Sequence, residues 1–339
     1  MNTFLHASAP LWIHVAVFLA CGCVIVFAGT KLTALADRLA DRTGMGEAMV
    51  GAVLLGASTS LAGITTSVTA AWDGHPVLSL SNALGGIAAQ TVFLVIADLC
   101  HRRVNLEHAA ASLTNMMQGA LLIVVLGALV AAMLGPNITL GHIHPLTLML
   151  PAGYLLGMRM IHRARRWPMW RPQMTRQTRV DTPDVDAGTR VSIRRLWVRF
   201  AITAGLTVIA GWILTRAAIH IAARTPLSET LVGDLFTAVT TSLPELVTSI
   251  AAVRRGALTL AVSGVIGGNA FDTLFVAAAD IAYQPGSIYH EATSREMFLL
   301  SLTIVMTGVL LMGLLRREKR GPANIGFESL LVLALYLLG

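Results

Sequence analysis

Two carboxylates, Glu245 and Asp272, stand in stretches that are otherwise apolar, small or hydroxylated. Glu245 belongs to residues 239–249, V-T-T-S-L-P-E-L-V-T-S, where Pro244 precedes it and Thr240, Thr241, Ser242 and Thr248 surround it. A proline inside a helix removes a backbone donor and frees a carbonyl upstream. A carboxylate in an apolar medium must find a cation or hold a proton. Oxygens gathered at a helix break are ligands for hard cations, so the chemistry expected here is cation binding at a break around Pro244. Asp272 ends G-V-I-G-G-N-A-F-D, residues 264–272. A charge at the centre of a bilayer costs about 2.5–3.5 kcal/mol on insertion scales, and no Lys or Arg falls at comparable depth to form an ion pair. A bound cation or a proton is left as the compensating charge.

The elements that hold these residues are membrane helices. The chain has 339 residues, 55% of them hydrophobic and only 13% charged, and a mean hydropathy of +0.69. Soluble domains carry roughly twice that charged fraction. Apolar runs of about 20 residues recur from end to end, each long enough to cross a ~30 Å hydrocarbon core. Ten helices are expected, over residues 11–35, 47–71, 77–99, 109–134 and 146–161, then 196–222, 228–253, 257–281, 296–315 and 325–338. They divide the chain into an N-terminal five-helix half, 1–161, a basic cytoplasmic loop, 162–195, and a C-terminal five-helix half, 196–339. Within the loop, residues 181–188 read as a flexible linker.

Charge orients the helices. With the N-terminus outside, 22 of the 25 Lys and Arg residues fall on the cytoplasmic side, and only Arg216, Arg224 and Arg295 do not. Both termini are then expected outside, in the manner of a bacterial inner-membrane protein. The net charge of +7 becomes juxtamembrane charge facing anionic lipid rather than a nucleic-acid surface, for which no module is present. The first ten residues lack a basic leader, and the first helix is expected to remain in the mature protein. Cys21, Cys23 and Cys100 offer neither a disulfide framework nor zinc spacing, and packing is the expected role.

Shifting the chain on itself by 182 residues aligns 47–98 with 229–280 without a gap. Identical pairs include Glu47/Glu229, Gly51/Gly233, Thr59/Thr241, Ser60/Ser242, Ser67/Ser249, Gly74/Gly256, Gly85/Gly267, Gly86/Gly268 and Asp98/Asp280. Apolar bias does not produce matches at polar residues and glycines, so this is an internal repeat. Five helices separate equivalent members, and an odd offset makes the two copies cross the membrane in opposite senses, the plan of secondary transporters. In each copy the first helix carries a hydroxyl cluster, Ser58-Thr59-Ser60 or Thr240-Thr241-Ser242. The second carries a Gly-Gly pair followed by Gln90 or Asp272. Four broken or thinned helices are therefore expected around one point near the midplane.

Other polar residues have simpler readings. Glu47 and Glu229 cap helix N-termini, Asp98 and Asp280 end helices and sit in water, and Glu328 snorkels outward. Asp234 lines an outer vestibule, and His75, His142, His144 and His290 fall in outer loops. No nucleophile with a base or a metal triad appears, and no enzyme activity is expected.

The two copies resemble the α-repeats of the cation/calcium exchanger superfamily, the sodium/calcium exchanger-like membrane proteins. The second copy gives T-S-L-P-E-L-V-T-S at 241–249 and G-V-I-G-G-N-A-F-D at 264–272. The first gives T-S-L-A-G-I-T-T-S at 59–67, G-H-P at 74–76 and N-A-L-G-G-I-A-A-Q at 82–90. The resemblance implies an all-α polytopic fold of two inverted five-helix repeats and exchange of calcium or a related cation against sodium or protons by alternating access. Carried over by position, it implies ligands at Thr241, Ser242, Glu245, Asn269 and Asp272, with Thr59, Ser60 and Gln90 supplying the other half.

The first repeat departs from the pattern. Ala62-Gly63 stands where a Pro-Glu pair belongs, Gly86 and Gly268 replace serines, and Ile87 replaces an asparagine. Two carboxylates balance one divalent or two monovalent ions and leave little excess field for stripping water from Ca²⁺. No resident cofactor is expected, only the transported Ca²⁺, Na⁺ or H⁺. Monovalent cation/proton antiport and a non-transporting cation sensor stand as alternatives.

Overall fold

Long apolar runs in a bilayer can satisfy their backbone polar groups only internally, and the chain does so with helices. The computed structural model describes residues 9–43, 57–101, 105–170, 173, 192–318 and 326–338. Among them, extended pairing is limited to one isolated bridge between Leu140 and Ile143. In the first half α1 is Leu11–Thr43, α2 Leu61–Trp72, α3 Pro76–His101, α4 Leu106–Ala109, α5 Leu113–Leu134 and α6 Pro145–Arg166. The second half comprises α7 (Ile193–Arg224), α8 (Glu229–Leu231), a π-helical segment (Val232–Thr237), α9 (Ala238–Arg255), α10 (Leu258–Asp272), α11 (Leu274–Ala282), a 3₁₀ turn (Ile288–Glu291), α12 (Ser294–Arg316) and α13 (Phe327–Leu338). Seven stretches among the described residues are long and apolar enough to cross a membrane.

Burial separates the helices by task. In α3 83% of the spanning window is buried, against 28% in α1 and in α7. The helix carrying Gln90 is thus enclosed by α2, α9, α10, α12 and α13, while α1 and α7 pack together at the periphery with faces free for lipid. Glycines set the closest approaches. A Cβ at Gly85 of α3 would lie 2.7 Å from the Asp234 backbone, and one at Gly233 would lie 2.5 Å from Ser81 Cβ, so α3 and the π segment touch almost backbone to backbone.

Several expectations need correction. The helix expected from residue 109 begins at Leu113, because Ser112 N-caps α5 by accepting from the Asn115 N–H at 3.1 Å, and the short α4 precedes it. Pro244 does not break its helix. The Pro244 ring lies against Gly29 of α1, where a Cβ would come within 2.6 Å of its Cγ, and α9 runs helically past it. The irregularity lies upstream, in the π segment. α3 also runs unbroken through Gly85 and Gly86. Of the three cysteines only Cys21 is buried. Residues 47–56, Glu47 among them, and the linker at 181–188 lie outside the described residues.

Candidate functional site

Two helix interruptions meet where the hydroxyls and the acid lie. The helical turn at 57–59 gives way at Ser60 before α2 begins, and Thr273 separates α10 from α11 immediately after Asp272. Ser60 Oγ donates to Asp272 Oδ1, so the two interruptions are hydrogen-bonded to each other. Gln90, on unbroken α3, donates through Nε2 to Asp272 Oδ2 at 2.6 Å and to Ser242 Oγ at 3.2 Å. Ser60 and Ser242 are 182 residues apart, and so are Gln90 and Asp272. The bond from Ser60 to Asp272 therefore has its counterpart in the bond from Gln90 to Ser242.

Glu245 stands beside this group, 5% exposed, with Thr59 hydrogen-bonded to its carboxylate and Oε2 left without a partner. Asn269 donates to Thr91 Oγ1 at 3.0 Å, and its own side-chain oxygen is unpartnered, as is that of Gln90. Buried polar atoms in native proteins are nearly always satisfied. Here three buried side chains leave an orphan atom each, and all three atoms are acceptor oxygens. A cation or a proton is the chemistry that completes such a set.

Of the expected ligands, Ser60, Gln90, Ser242 and Asp272 form one connected network, and Thr59 joins Glu245. Asn269 is buried one turn from Asp272, and the Thr241 hydroxyl turns back to the Ala238 carbonyl at 3.3 Å. Among the described residues no three His, Cys, Asp or Glu side chains are grouped so as to hold a metal ion, and the carboxylates of this site are Glu245 and Asp272.

The sequence reading passed over three neighbours. Thr91 holds Asn269. Asn82 donates to the Gly63 carbonyl at 3.1 Å and to Ser67 Oγ at 2.9 Å. Phe275 fills the space beside Gly63, where a Cβ would lie 2.7 Å from its ring. A signal existed for two of these, because Thr91/Thr273 and Phe93/Phe275 are identical pairs in the 182-residue shift.

The outlying carboxylates also differ from expectation. Asp98 and Asp280 are 1% and 0% exposed rather than in water, and Glu328, at 2%, does not snorkel. Each aspartate is covered by the short element that follows it, whose backbone N–H it accepts: Leu106 at 2.7 Å for Asp98 and Ile288 at 2.8 Å for Asp280. Glu229 pairs with His75 at 2.6 Å, and Arg216 pairs with Asp73 at 3.0 Å. The Glu229 carboxylate raises His75 above the ordinary imidazole range. His144 N-caps α6 by accepting from Leu146 N–H, and burial beside His290 lowers its affinity for a proton.

The family model described as sodium/calcium exchanger protein matches residues 13–157 and 195–339, which is most of the chain. The chain belongs to the sodium/calcium exchanger protein family. It is an integral membrane protein of that family. It is 25% identical to the "Putative antiporter CaxA" of Alkalimonas amylolytica over 319 residues, covering 91% of this chain and 95% of the relative. It is 31% identical to the inner membrane protein YrbG of Escherichia coli K12 over 137 residues, covering 40% of this chain and 41% of YrbG. The fold matches the H⁺/Ca²⁺ exchanger CAX with a TM-score of 0.70 at 14% identity, over 96% of this chain and 80% of that one. It also matches the sodium-calcium exchanger NCX_Mj with a TM-score of 0.62 at 19% identity, over 97% and 98%. At those identities the likeness concerns the fold alone.

Proposed function

We propose that this exchanger-family chain is a secondary active cation antiporter that moves calcium or a related cation against sodium or protons by alternating access, with Glu245 and Asp272 carrying the ion. One observation supports the reading above others. Glu245, Gln90 and Asn269 present unpaired, buried oxygens around an aspartate that is already fixed by Ser60 and Gln90. Such a site is preorganised in its donors and lacks only a positive charge.

Two inverted five-helix halves, with both termini outside, accommodate the paired contacts at 182-residue spacing. The interruptions at Ser60 and Thr273 then belong to one helix from each half, and they meet at mid-depth, where rocking of one half against the other exposes the ion to alternate sides. The relatives CAX and NCX_Mj are named for calcium exchange against protons and sodium, and calcium is the leading substrate for that reason.

A second reading, monovalent cation against protons, draws on the charge of the site. The first repeat contributes Gln90 and Gly63 rather than acids, so two carboxylates supply all of the negative charge. That weakens the case for a strongly hydrated divalent ion.

The test is reconstitution. Purified protein in sealed liposomes, given a sodium or a proton gradient, should drive uptake of labelled calcium, with the effective gradient naming the counter-ion. Sodium or potassium flux driven by protons without calcium flux would favour the second reading. Binding without flux of any cation would leave a sensor.

A further inference from the structure

Asp98 and Asp280, 182 residues apart, are each held by matching partners at opposite ends of the bundle. Asp280 accepts from Ile288 N–H at 2.8 Å, His144 N–H at 2.8 Å, Ser287 Oγ at 2.9 Å and Thr147 Oγ1 at 2.6 Å. Thr147 Oγ1 also meets the Tyr289 hydroxyl at 3.2 Å. Asp98 accepts from Leu106 N–H at 2.7 Å, Gly326 N–H at 3.3 Å and Ser329 Oγ at 3.2 Å, and Ser329 Oγ also meets Glu107 Oε1 at 3.0 Å. Adding 182 to 106, 107, 144 and 147 gives 288, 289, 326 and 329. At these four positions the networks are counterparts, except that Glu107 stands where the other end has the phenol of Tyr289; Ser287 has as its counterpart Asn105, which donates instead to the Glu318 carbonyl at 3.0 Å.

That exchange matters because Ser329 has one hydroxyl hydrogen. It can be given to Asp98 or to Glu107, not to both. If both carboxylates were ionised, one would face the serine oxygen with no hydrogen between them, inside a site where Glu107 is 1% exposed and its Oε2 has no partner. A protonated Glu107 removes the conflict by doing what a phenol does, donating to the hydroxyl while the hydroxyl donates to the aspartate.

Among the described residues, the charged groups acting on Glu107 are acidic, Asp98 and Glu328. Glu328, whose Oε1 is also buried and unpartnered, faces Asp98 and Glu107, with Glu318 and Arg316 beyond it. His108 reaches the Arg317 carbonyl at 2.6 Å, and the Arg317 guanidinium donates to the His108 carbonyl at 3.3 Å and to the Gln173 carbonyl.

We propose that Glu107 is a proton-binding site, a neutral carboxylic acid that donates to Ser329 while Ser329 donates to ionised Asp98, and that release of this proton to water loosens the joint between α4 and the start of α13. Burial first, and the charge of Asp98 second, push the Glu107 carboxyl up to about 8. Burial holds the Tyr289 hydroxyl above even the ordinary phenol range, so the joint at the other end does not titrate with it. Only one end of the bundle would then respond to alkaline pH.

The full chain in lipid nanodiscs tests this by infrared spectroscopy across about pH 6 to 10. Wild type should lose a protonated-carboxyl carbonyl band with a midpoint of about 8. The difference between wild type and Glu107→Gln should contain that loss. Asp98→Asn, which keeps the acid and removes the neighbouring charge, should keep the band and move its midpoint down by about one unit or more. Amide exchange at Leu106 and Gly326 should speed up by about tenfold above the midpoint in wild type and stay flat in Glu107→Gln. A band loss that persists unchanged in Glu107→Gln would overturn the proposal. If that variant does not fold, an unmoved midpoint in Asp98→Asn would overturn it.

Discussion

Gln90 Nε2 donates to Asp272 Oδ2 across 2.6 Å, and the two residues occupy equivalent positions, 182 apart, in the two halves of the chain. They meet where α3 passes α10, flanked by the equivalent serines Ser60 and Ser242. An amide facing an acid at this point lowers the charge of the site by one relative to a pair of acids. It also spends one of the Asp272 oxygens on a fixed donor, which a bound ion must share or displace.

Gln90→Glu should therefore change ion preference. A third carboxylate strengthens the field at the crossing, and calcium binding should tighten by about tenfold or more while monovalent binding gains less. Calorimetric titration of wild type and variant with calcium and sodium checks this. Equal gains for both ions would show that charge at the crossing does not set preference.

Restoring an acid at Gly63 is more demanding than the sequence suggests, because a side chain there meets Phe275. Gly63→Glu alone should destabilise by about 1–3 kcal/mol through overpacking and gain little affinity. With Phe275→Ala beside it, the stability should largely return and calcium affinity should rise. Thermal midpoints and calcium titrations of the single and double variants separate overpacking from charge.

That Ser60, Gln90, Ser242 and Asp272 come together is legible because polar residues in apolar runs and a constant shift of 182 are properties of the chain itself. The aspartates at 98 and 280 are not. Each looks like a solvated helix end until α4 or the 3₁₀ turn at 288–291 folds back over it. The residues that complete each network, Ser329 for Asp98 and Thr147 for Asp280, come from the opposite half. Pro244 misled for a local reason. Its ring found a place against Gly29, and the helix distorted at the π segment instead. Nothing in the sequence before Pro244 marks that displacement.

Close approach of α3 to the π segment predicts unequal glycine substitutions. Gly85→Ala and Gly233→Ala put a methyl against Asp234 backbone and Ser81, and each should cost about 1–3 kcal/mol. Gly205→Ala, where nothing lies within 4 Å, should be neutral or slightly stabilising. Detergent-solubilised thermal midpoints test the contrast, and a Gly205 effect as large as the other two would contradict it.

The pair of His75 with Glu229 predicts a modest pH dependence. Its side chains are 30% and 37% exposed, so its worth is that of a screened surface pair, about 0.2–1 kcal/mol. Because Glu229 raises His75 in the folded state, the stabilisation is fully present below the unfolded imidazole value of about 6.5 and fades as pH rises through the folded value. His75→Gln should lower the thermal midpoint under acid conditions and leave it unchanged under alkaline ones. A deficit that grows with pH would reverse the sign.

The most direct measurement of the central claim is cation flux in proteoliposomes carrying wild type or Glu245→Gln under the same imposed gradient, with bound cation measured in parallel. Wild type should accumulate the cation against its own gradient. Glu245→Gln should fall to the level of protein-free vesicles while remaining folded, because the amide leaves the site with one carboxylate. Undiminished flux through Glu245→Gln, or a wild type that binds the cation and moves none, would contradict the account.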